Sequence, residues 1–263
     1  MGQPEVLTSP TNPLLKEVRR AVARGGLTGD GYMIAETFHL LEEALRSGLE
    51  IKTILASDSA HPAVRDRLRD KSGIRIAVVA DAVFQKLAAT ESSQGVITLA
   101  RPLCWTLEDT LRGHSLAIVL DGLQDPGNAG AIVRAAEAFG ASGVLFTKGT
   151  VSPFNPKLLR ASAGSVFRVP FVNDLDATQA RAALERSKIA VYAAMPSGAT
   201  PPAAVDLTQR CALVIGSEGH GVSQQMRRDA IGLSIPTVGV ESLNSAVAAG
   251  ILLYEAQRQR RAS

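Results

Sequence analysis

The sequence predicts an α/β protein of two domains, the second built on a parallel sheet, and three observations carry that expectation. At 263 residues the chain is long enough for two cores. From Gly31 onward, short β-like runs alternate with amphipathic helical ones. Beyond residue 114 the alternation is strand–helix–strand, and the apolar runs 116–120 and 213–215 suit strands covered on both faces.

Composition narrows the class. An apolar content of 46% against 20% charged residues fits a globular chain with an ordinary core. No uncharged apolar run is long enough to span a bilayer, and the first residues lack a signal-peptide core, so a cytoplasmic protein without a membrane partner is expected. Cys104 and Cys211 have no partner pattern and are expected as buried free thiols. His39, His61, His114 and His220 are scattered without ligand spacing, which predicts no metal site, and His220 is expected on the surface. The net charge is +3 and the pI about 9.0. Basic and acidic residues balance over 1–100, so an RNA-binding first domain would have to use a local patch.

In chain order, Asn12 is positioned to cap a helix with Pro13 at its first position and Leu14, Leu15, Val18 and Val22 along one stripe. The other face carries Lys16, Arg19, Arg20 and Arg24, a face either solvated or opposed to phosphate. Runs at 32–35, 51–56, 75–79 and 95–100 read as strands, and those at 37–46, 63–70 and 82–87 as helices. Together residues 1–100 form a small α/β domain. Residues 101–113 show no clear strand and read as a linker to the second domain, 114–263.

In that second domain, strands are expected at 115–121, 143–147, 168–172, 189–194, 212–215 and 232–235. Helices are expected at 129–139, 156–163 and 177–187, with a short one from Ser223 and a last one running to Arg261. Three polar, glycine-containing stretches stand out. Asp121-Gly122-Leu123-Gln124-Asp125-Pro126-Gly127-Asn128 leads from a strand into a helix that carries Arg134. Gly216-Ser217-Glu218-Gly219-His220-Gly221 leaves the 213–215 run as a tight turn. The third, from Ile235 through Glu241, Ser242, Leu243, Asn244 and Ser245, opens the last helix, which Ser242, Asn244 or Ser245 can cap. Polar groups at strand ends are where open α/β sheets hold ligands. Arg134, set among Ile132, Val133, Ala135 and Ala136, is expected to meet a specific anion.

Taken together and in order, D-P-G-N-x-G-x-x-x-R, G-S-E-G-x-G and I-P-x-x-G-x-x-S-L-N-x-x-V-A resemble the motifs of the SpoU (TrmH-like) branch of the SPOUT RNA methyltransferases. The resemblance implies transfer of a methyl group from S-adenosylmethionine to a ribose 2'-hydroxyl, leaving S-adenosylhomocysteine. It implies structured RNA as the partner, with 23S rRNA expected and tRNA as the alternative. For the first domain it implies a small RNA-binding fold shared with kink-turn-binding ribosomal proteins, in which Lys16, Arg19, Arg20 and Arg24 would contact RNA. Where that fold has Glu-Gly before a helix, this chain has Glu36-Thr37, and 90–96 resembles its closing turn. For the second domain it implies a deep trefoil knot over roughly 213–255, and pairing of two copies. The face of the last helix formed by Ala246, Ala249, Gly250 and Leu253 is expected to carry that homodimer.

The same resemblance assigns the site. Asn128, Arg134, Glu218, Ser242 and Asn244 fall on the reaction-centre positions. Gly216, Ile235 and Leu243, with Ile215, Ser217, Gly219 and Ser245, fall on the donor-binding ones, contacts expected of backbone groups where the side chain has no polar atom. Glu218 is expected to orient Arg134 or loop N–H groups. The family role of base falls on Arg134, but an ordinary guanidinium holds its proton at neutral pH, and removing it costs roughly 7 kcal/mol. A charged Arg134 that anchors phosphate and stabilises the developing oxyanion is the better expectation. Two other readings compete. A non-catalytic RNA-binding protein on the same fold would not need all five side chains, and a dinucleotide oxidoreductase would need a G-x-G-x-x-G turn that the first strand of this domain lacks.

Overall fold

The structure, a computed structural model, describes residues 5–69, 71, 73–90 and 93–262. Asp70, expected at a helix end, and Glu91 and Ser92, expected in a turn, lie outside the described residues. The chain forms two compact units. One comprises the residues up to Leu103 together with Pro153–Phe167, and the other Cys104–Ser152 and the residues from Arg168 on.

In the first unit, strands β1 (Glu5–Leu7), β2 (Met33–Glu36), β3 (Ile51–Ser57), β4 (Ile76–Val79) and β5 (Val96–Ala100) form one sheet in the order β1-β4-β3-β5-β2. The β1, β4 and β3 strands run parallel, and β5 pairs antiparallel with both β3 and β2. Successive side chains of a strand face opposite ways, so Leu55 joins one core and Ile54 and Ala56 the other. Helix α1 (Pro13–Arg24) covers the Leu55 face through Leu15, Val18 and Ala21. Helices α2 (Phe38–Arg46) and α3 (His61–Arg67) cover the opposite face with Leu41 and Val64. A short α4 (Asp81–Phe84) sets Phe84 into the first core.

Helix α1 starts as the sequence predicts. The Asn12 side chain accepts from the Leu14 N–H at 2.9 Å, Pro13 follows, and Gly25 at φ 63° closes the helix. Lys16, Arg19, Arg20 and Arg24 lie exposed along its outer face. Strand β1 was not expected, because three residues are too few to show a period. At Glu36-Thr37, where the resemblance has glycine, Thr37 adopts φ 132°, ψ 153°, a region that suits glycine. The hydroxyl of Thr37 accepts from the Leu40 N–H at 3.1 Å and caps α2, which offsets part of that strain. Glu36 is buried, and its carboxylate accepts from the Ala89 N–H, the Thr90 hydroxyl and, at 3.4 Å, Arg160.

In the second unit, β6 (Leu116–Asp121), β7 (Gly143–Thr147), β8 (Phe171–Leu175), β9 (Ala190–Ala194), β10 (Cys211–Gly216) and β11 (Ile231–Leu233) form a wholly parallel sheet in the order β11-β9-β10-β6-β7-β8. The linker expectation is corrected in one respect, since it contains α5 (Leu107–Thr110). Thr106 and Asp109 form a reciprocal cap there, the T-x-x-D signal that a search for strands passes over. Strand β8 starts three residues later than expected. Pro170 cannot donate to a ladder, and Arg168 is drawn into an ion pair with Glu137 at 2.5 Å. Helices α6 (Pro126–Ala138), α8 (Ala177–Arg186), α9 (Gln224–Arg227) and α10 (Ser245–Ala262) complete this unit, while α7 (Pro156–Ala161), between β7 and β8, belongs to the first. Cys211 is buried as expected, and burial pushes its thiol pKa up. Cys104 is exposed, contrary to expectation, because the segment that bears it has no regular element to cover it.

The last turns of α10 are fastened by Arg260. Its guanidinium donates to the carbonyls of Leu207 at 2.9 Å, His114 at 2.9 Å, Ser115 at 3.1 Å and Gln209 at 2.6 Å, joining the ends that lead into β6 and β10. Gln259 adds a bond from the Leu207 N–H at 2.8 Å. Arg260→Ala strands several of those acceptors and should lower unfolding free energy by about 2–4 kcal/mol. A guanidinium chloride titration should show this as a lower midpoint with an unchanged slope.

Candidate functional site

Strands β6, β9 and β10 end at Asp121, Ala194 and Gly216, at one edge of the parallel sheet. Each of the three polar stretches leaves or approaches that edge. After β10 the chain turns tightly: the Gly221 N–H donates to the Ser217 carbonyl at 2.9 Å, and the Ser217 N–H to the Gly221 carbonyl at 3.2 Å. Gly216 is required beneath this turn. A Cβ there would sit 2.0 Å from the Gly221 carbonyl carbon and 2.2 Å from the Val222 nitrogen. Asp121, buried at the end of β6, holds the far side by accepting from the Ser223 N–H at 2.7 Å and the Thr147 hydroxyl at 3.1 Å.

The stretches meet on Glu218. One oxygen of its carboxylate accepts from the Asn128 side-chain amide at 2.7 Å and from the Ser245 hydroxyl at 2.8 Å. Asn128 is presented by the start of α6, where Asp125 caps the helix by accepting from the Asn128 N–H at 2.6 Å. The amide of Asn244 donates to the Asn128 oxygen at 3.0 Å, while its own oxygen caps α10 by accepting from Ala246 at 2.9 Å and Val247 at 3.2 Å. Of the caps the sequence allowed for α10, Asn244 is therefore the one formed. A carboxylate, two amides and a hydroxyl from three distant segments thus form one connected group.

Beside it lies a cleft of about 460 Å³. Ile215, Gly216, Ser217, Gly219, Ile235, Leu243 and Ser245 line it together, with Glu218 and Ser242. Asn128 and Asn244 stand behind Glu218 rather than in the wall. Met195 and Pro196, which follow β9, also line the cleft; they belong to no motif stretch, and only their position at the end of the strand next to β10 marks them in the sequence. Its volume and mixed apolar and backbone lining suit a nucleoside-sized ligand. His220 is exposed on the turn, as expected.

Arg134 is not brought into this group. It lies six residues beyond Asn128, hence about 120° round the helix, exposed and with no hydrogen-bond or ion-pair partner among the described residues. Glu218 accordingly orients Asn128 and Ser245, not Arg134. Among the described residues no cluster of metal-ligating side chains occurs, and no helix is long and apolar enough to cross a membrane. Gly216→Ala should force the Ser217–Gly221 turn off the strand end. A cost of about 1–3 kcal/mol should appear in calorimetry as a lower Tm, accompanied by faster amide exchange at Gly221.

Comparison with known proteins agrees with this geometry. The model of the SpoU rRNA methylase family matches residues 115–254, and that of the MRM3-like substrate-binding domain matches residues 12–98. An uncharacterized tRNA/rRNA methyltransferase of Synechocystis is 33% identical, over 97% of this chain and 94% of its own. A 23S rRNA (guanosine(2553)-2'-O)-methyltransferase of Bacillus subtilis is 30% identical, over 94% of this chain and 97% of its own. Among solved structures, the SpoU methyltransferase AviRb of Streptomyces viridochromogenes, in complex with AdoMet, superposes with a TM-score of 0.85 at 25% identity, covering 96% of this chain and 99% of that one. The mixed α/β fold with its parallel sheet, the site at the sheet edge and the family model spanning it agree: the chain belongs to the SpoU rRNA methylase family.

Proposed function

We propose that this protein methylates a ribose 2'-hydroxyl of 23S rRNA, using S-adenosylmethionine as donor. The observation that carries the reading is the group centred on Glu218, where the three motif stretches meet beside a nucleoside-sized cleft. The name of the Bacillus subtilis relative supports rRNA over tRNA as substrate.

The residues present fit the donor. Ile235 and Leu243 offer apolar surface for an adenine, and the backbone groups of Ile215, Gly216, Ser217 and Gly219 face the same cleft. When bound, S-adenosylmethionine supplies an electrophilic methyl group on a positively charged sulfur. The protein's work is then position and charge. Glu218 holds the Asn128 amide and the Ser245 hydroxyl in fixed directions, so these dipoles need no reorganisation during transfer. Asn244 fixes Asn128 in turn, and Ser242 lies at the rim of the cleft for the acceptor. Arg134, charged and unpaired, anchors the phosphate next to the acceptor and stabilises negative charge growing on the 2'-oxygen. The proton leaves to phosphate or water.

An exposed Arg134 acts at this site most simply by facing a second copy. We infer a homodimer through α10 and α6 on that ground, and the family resemblance supports both it and a trefoil knot over roughly 213–255. The face differs from the one the sequence suggested, because Ala249 and Leu253 are fully buried within their own chain. Val247, Ile251 and Tyr254, spaced four and three apart on α10, are exposed instead. In the first unit, Lys16, Arg19, Arg20 and Arg24 form the phosphate-facing surface that engages the RNA, and the reaction takes place in the cytoplasm.

The reading is tested by incubating the protein with labelled donor and deproteinised 23S rRNA from a strain lacking its gene, then mapping 2'-O-methylation; no incorporation would end it. Arg134→Ala should abolish turnover while donor affinity by calorimetry survives. Arg134→Lys should retain measurable activity with the wild-type pH–rate profile in single turnover. A profile that moved to follow a lysine titration would instead make this residue the base. Light scattering should give a dimer, and an active monomer at working concentration would remove the cross-subunit role.

A further inference from the structure

The turn that walls the donor cleft has a second side. Ser217, Glu218, Gly219, His220 and Gly221 line both that cleft and another of about 570 Å³, which opens at the ends of β6 and β7. Glu218, Gly219 and His220 are exposed, so the two clefts share a rim rather than a buried partition. Methyl transfer needs donor and acceptor within bonding approach of each other, and a space that shares its rim with the donor cleft satisfies that need.

The polar groups of this second cleft fall into two sets. Its acids are already engaged: Asp121 by Ser223 and Thr147, Asp176 by the Thr178 N–H at 2.9 Å, and Glu218 by Asn128 and Ser245. Gln124, Lys148 and Gln225 also line it, and among the described residues their side chains form no hydrogen bond or close ion pair; Asp176, whose carboxyl the Thr178 N–H holds below its usual range, also feels the Lys148 charge through space. Lys148 is nevertheless held at its backbone, where its N–H donates to the Leu175 carbonyl at 2.7 Å. The cleft therefore presents an ammonium and two amides without hydrogen-bond partners on a fixed frame, with Asp176 beside the ammonium. An ammonium aimed at two neighbouring acceptors matches the O6 and N7 edge of guanine, and glutamine amides complement the remaining base-edge groups.

Resting on the function proposed above, we infer that this second cleft holds the base of the nucleotide being methylated. That base is a guanine, read by Lys148 with Gln124 and Gln225. A phosphate contact by Lys148 would weaken all RNAs alike, whereas a base contact discriminates between nucleotides. The two are separable by measurement.

The test uses the full chain and transcripts of 23S rRNA. Wild-type protein first locates the methylated nucleotide, and a second transcript then replaces it with adenosine. Lys148→Ala, at an exposed position that packs nothing, should raise KM for the native transcript about tenfold and lower the guanosine-over-adenosine preference about tenfold. Its kcat and donor affinity should stay within about twofold of wild type. Gln124→Ala should shift preference in the same direction. A mapped nucleotide other than guanosine overturns the inference while the methyltransferase reading stands. So does a Lys148→Ala variant with unaltered preference, whether its KM is unchanged or raised equally for both transcripts. No methylation of either transcript by wild type overturns the methyltransferase reading and this inference with it.

Discussion

Two hydrogen bonds accepted by one oxygen of Glu218 hold this site together. They join the start of α6, the turn after β10 and the start of α10, segments that are 90 and 27 residues from Glu218 in sequence. Each segment could satisfy its own backbone without the others, since each has local caps. What local capping cannot do is set the segments in mutual register. A carboxylate that accepts from an amide and a hydroxyl at 2.7 and 2.8 Å does so because charge-assisted bonds are short and directional.

The parallel sheet makes that register possible. Because every strand of the second unit points the same way, the chain leaves β6, β9 and β10 at one edge, and three loops collect there without long detours. The close approach at Gly216 then fixes how far the turn stands off the sheet. Any side chain would push the Ser217–Gly221 backbone outward and carry Glu218 with it. Both clefts share that turn as a wall, so the glycine sets the dimensions of both.

Much of this was legible in the sequence, and the reasons for the misses are physical. The six parallel strands, and the motif residues that line the cleft beside Glu218, were readable, because buried strands are apolar and the motif stretches interrupt them at their ends. What escaped were features below the resolution of periodicity: the three-residue β1 and the single-turn α5. The grouping of Pro153–Phe167 with the first unit was also invisible, since an amphipathic helix does not declare which sheet it covers. Arg134 shows a different limit. Its apolar neighbours Ile132 and Val133 are buried, but helix geometry turns Arg134 itself outward, and linear context cannot separate those directions. The α10 face was misjudged for the same reason, because small residues such as Ala249 serve equally well against one's own sheet and against a partner.

Asn244 illustrates why a particular residue type is needed at such a junction. Its oxygen accepts from two N–H groups at the start of α10, and its nitrogen donates to Asn128. Serine or aspartate would cap the helix as well but, with Asn128 presenting its oxygen, aspartate offers only acceptors, and serine's hydroxyl is too short to span both tasks. Asparagine alone among good capping residues carries acceptor and donor on one rigid plane. The start of α10 and the group centred on Glu218 are thereby fixed by one side chain. The stability of α10 and the orientation of Asn128 are consequently linked, and the glutamate at the centre of the group inherits its geometry from a helix cap.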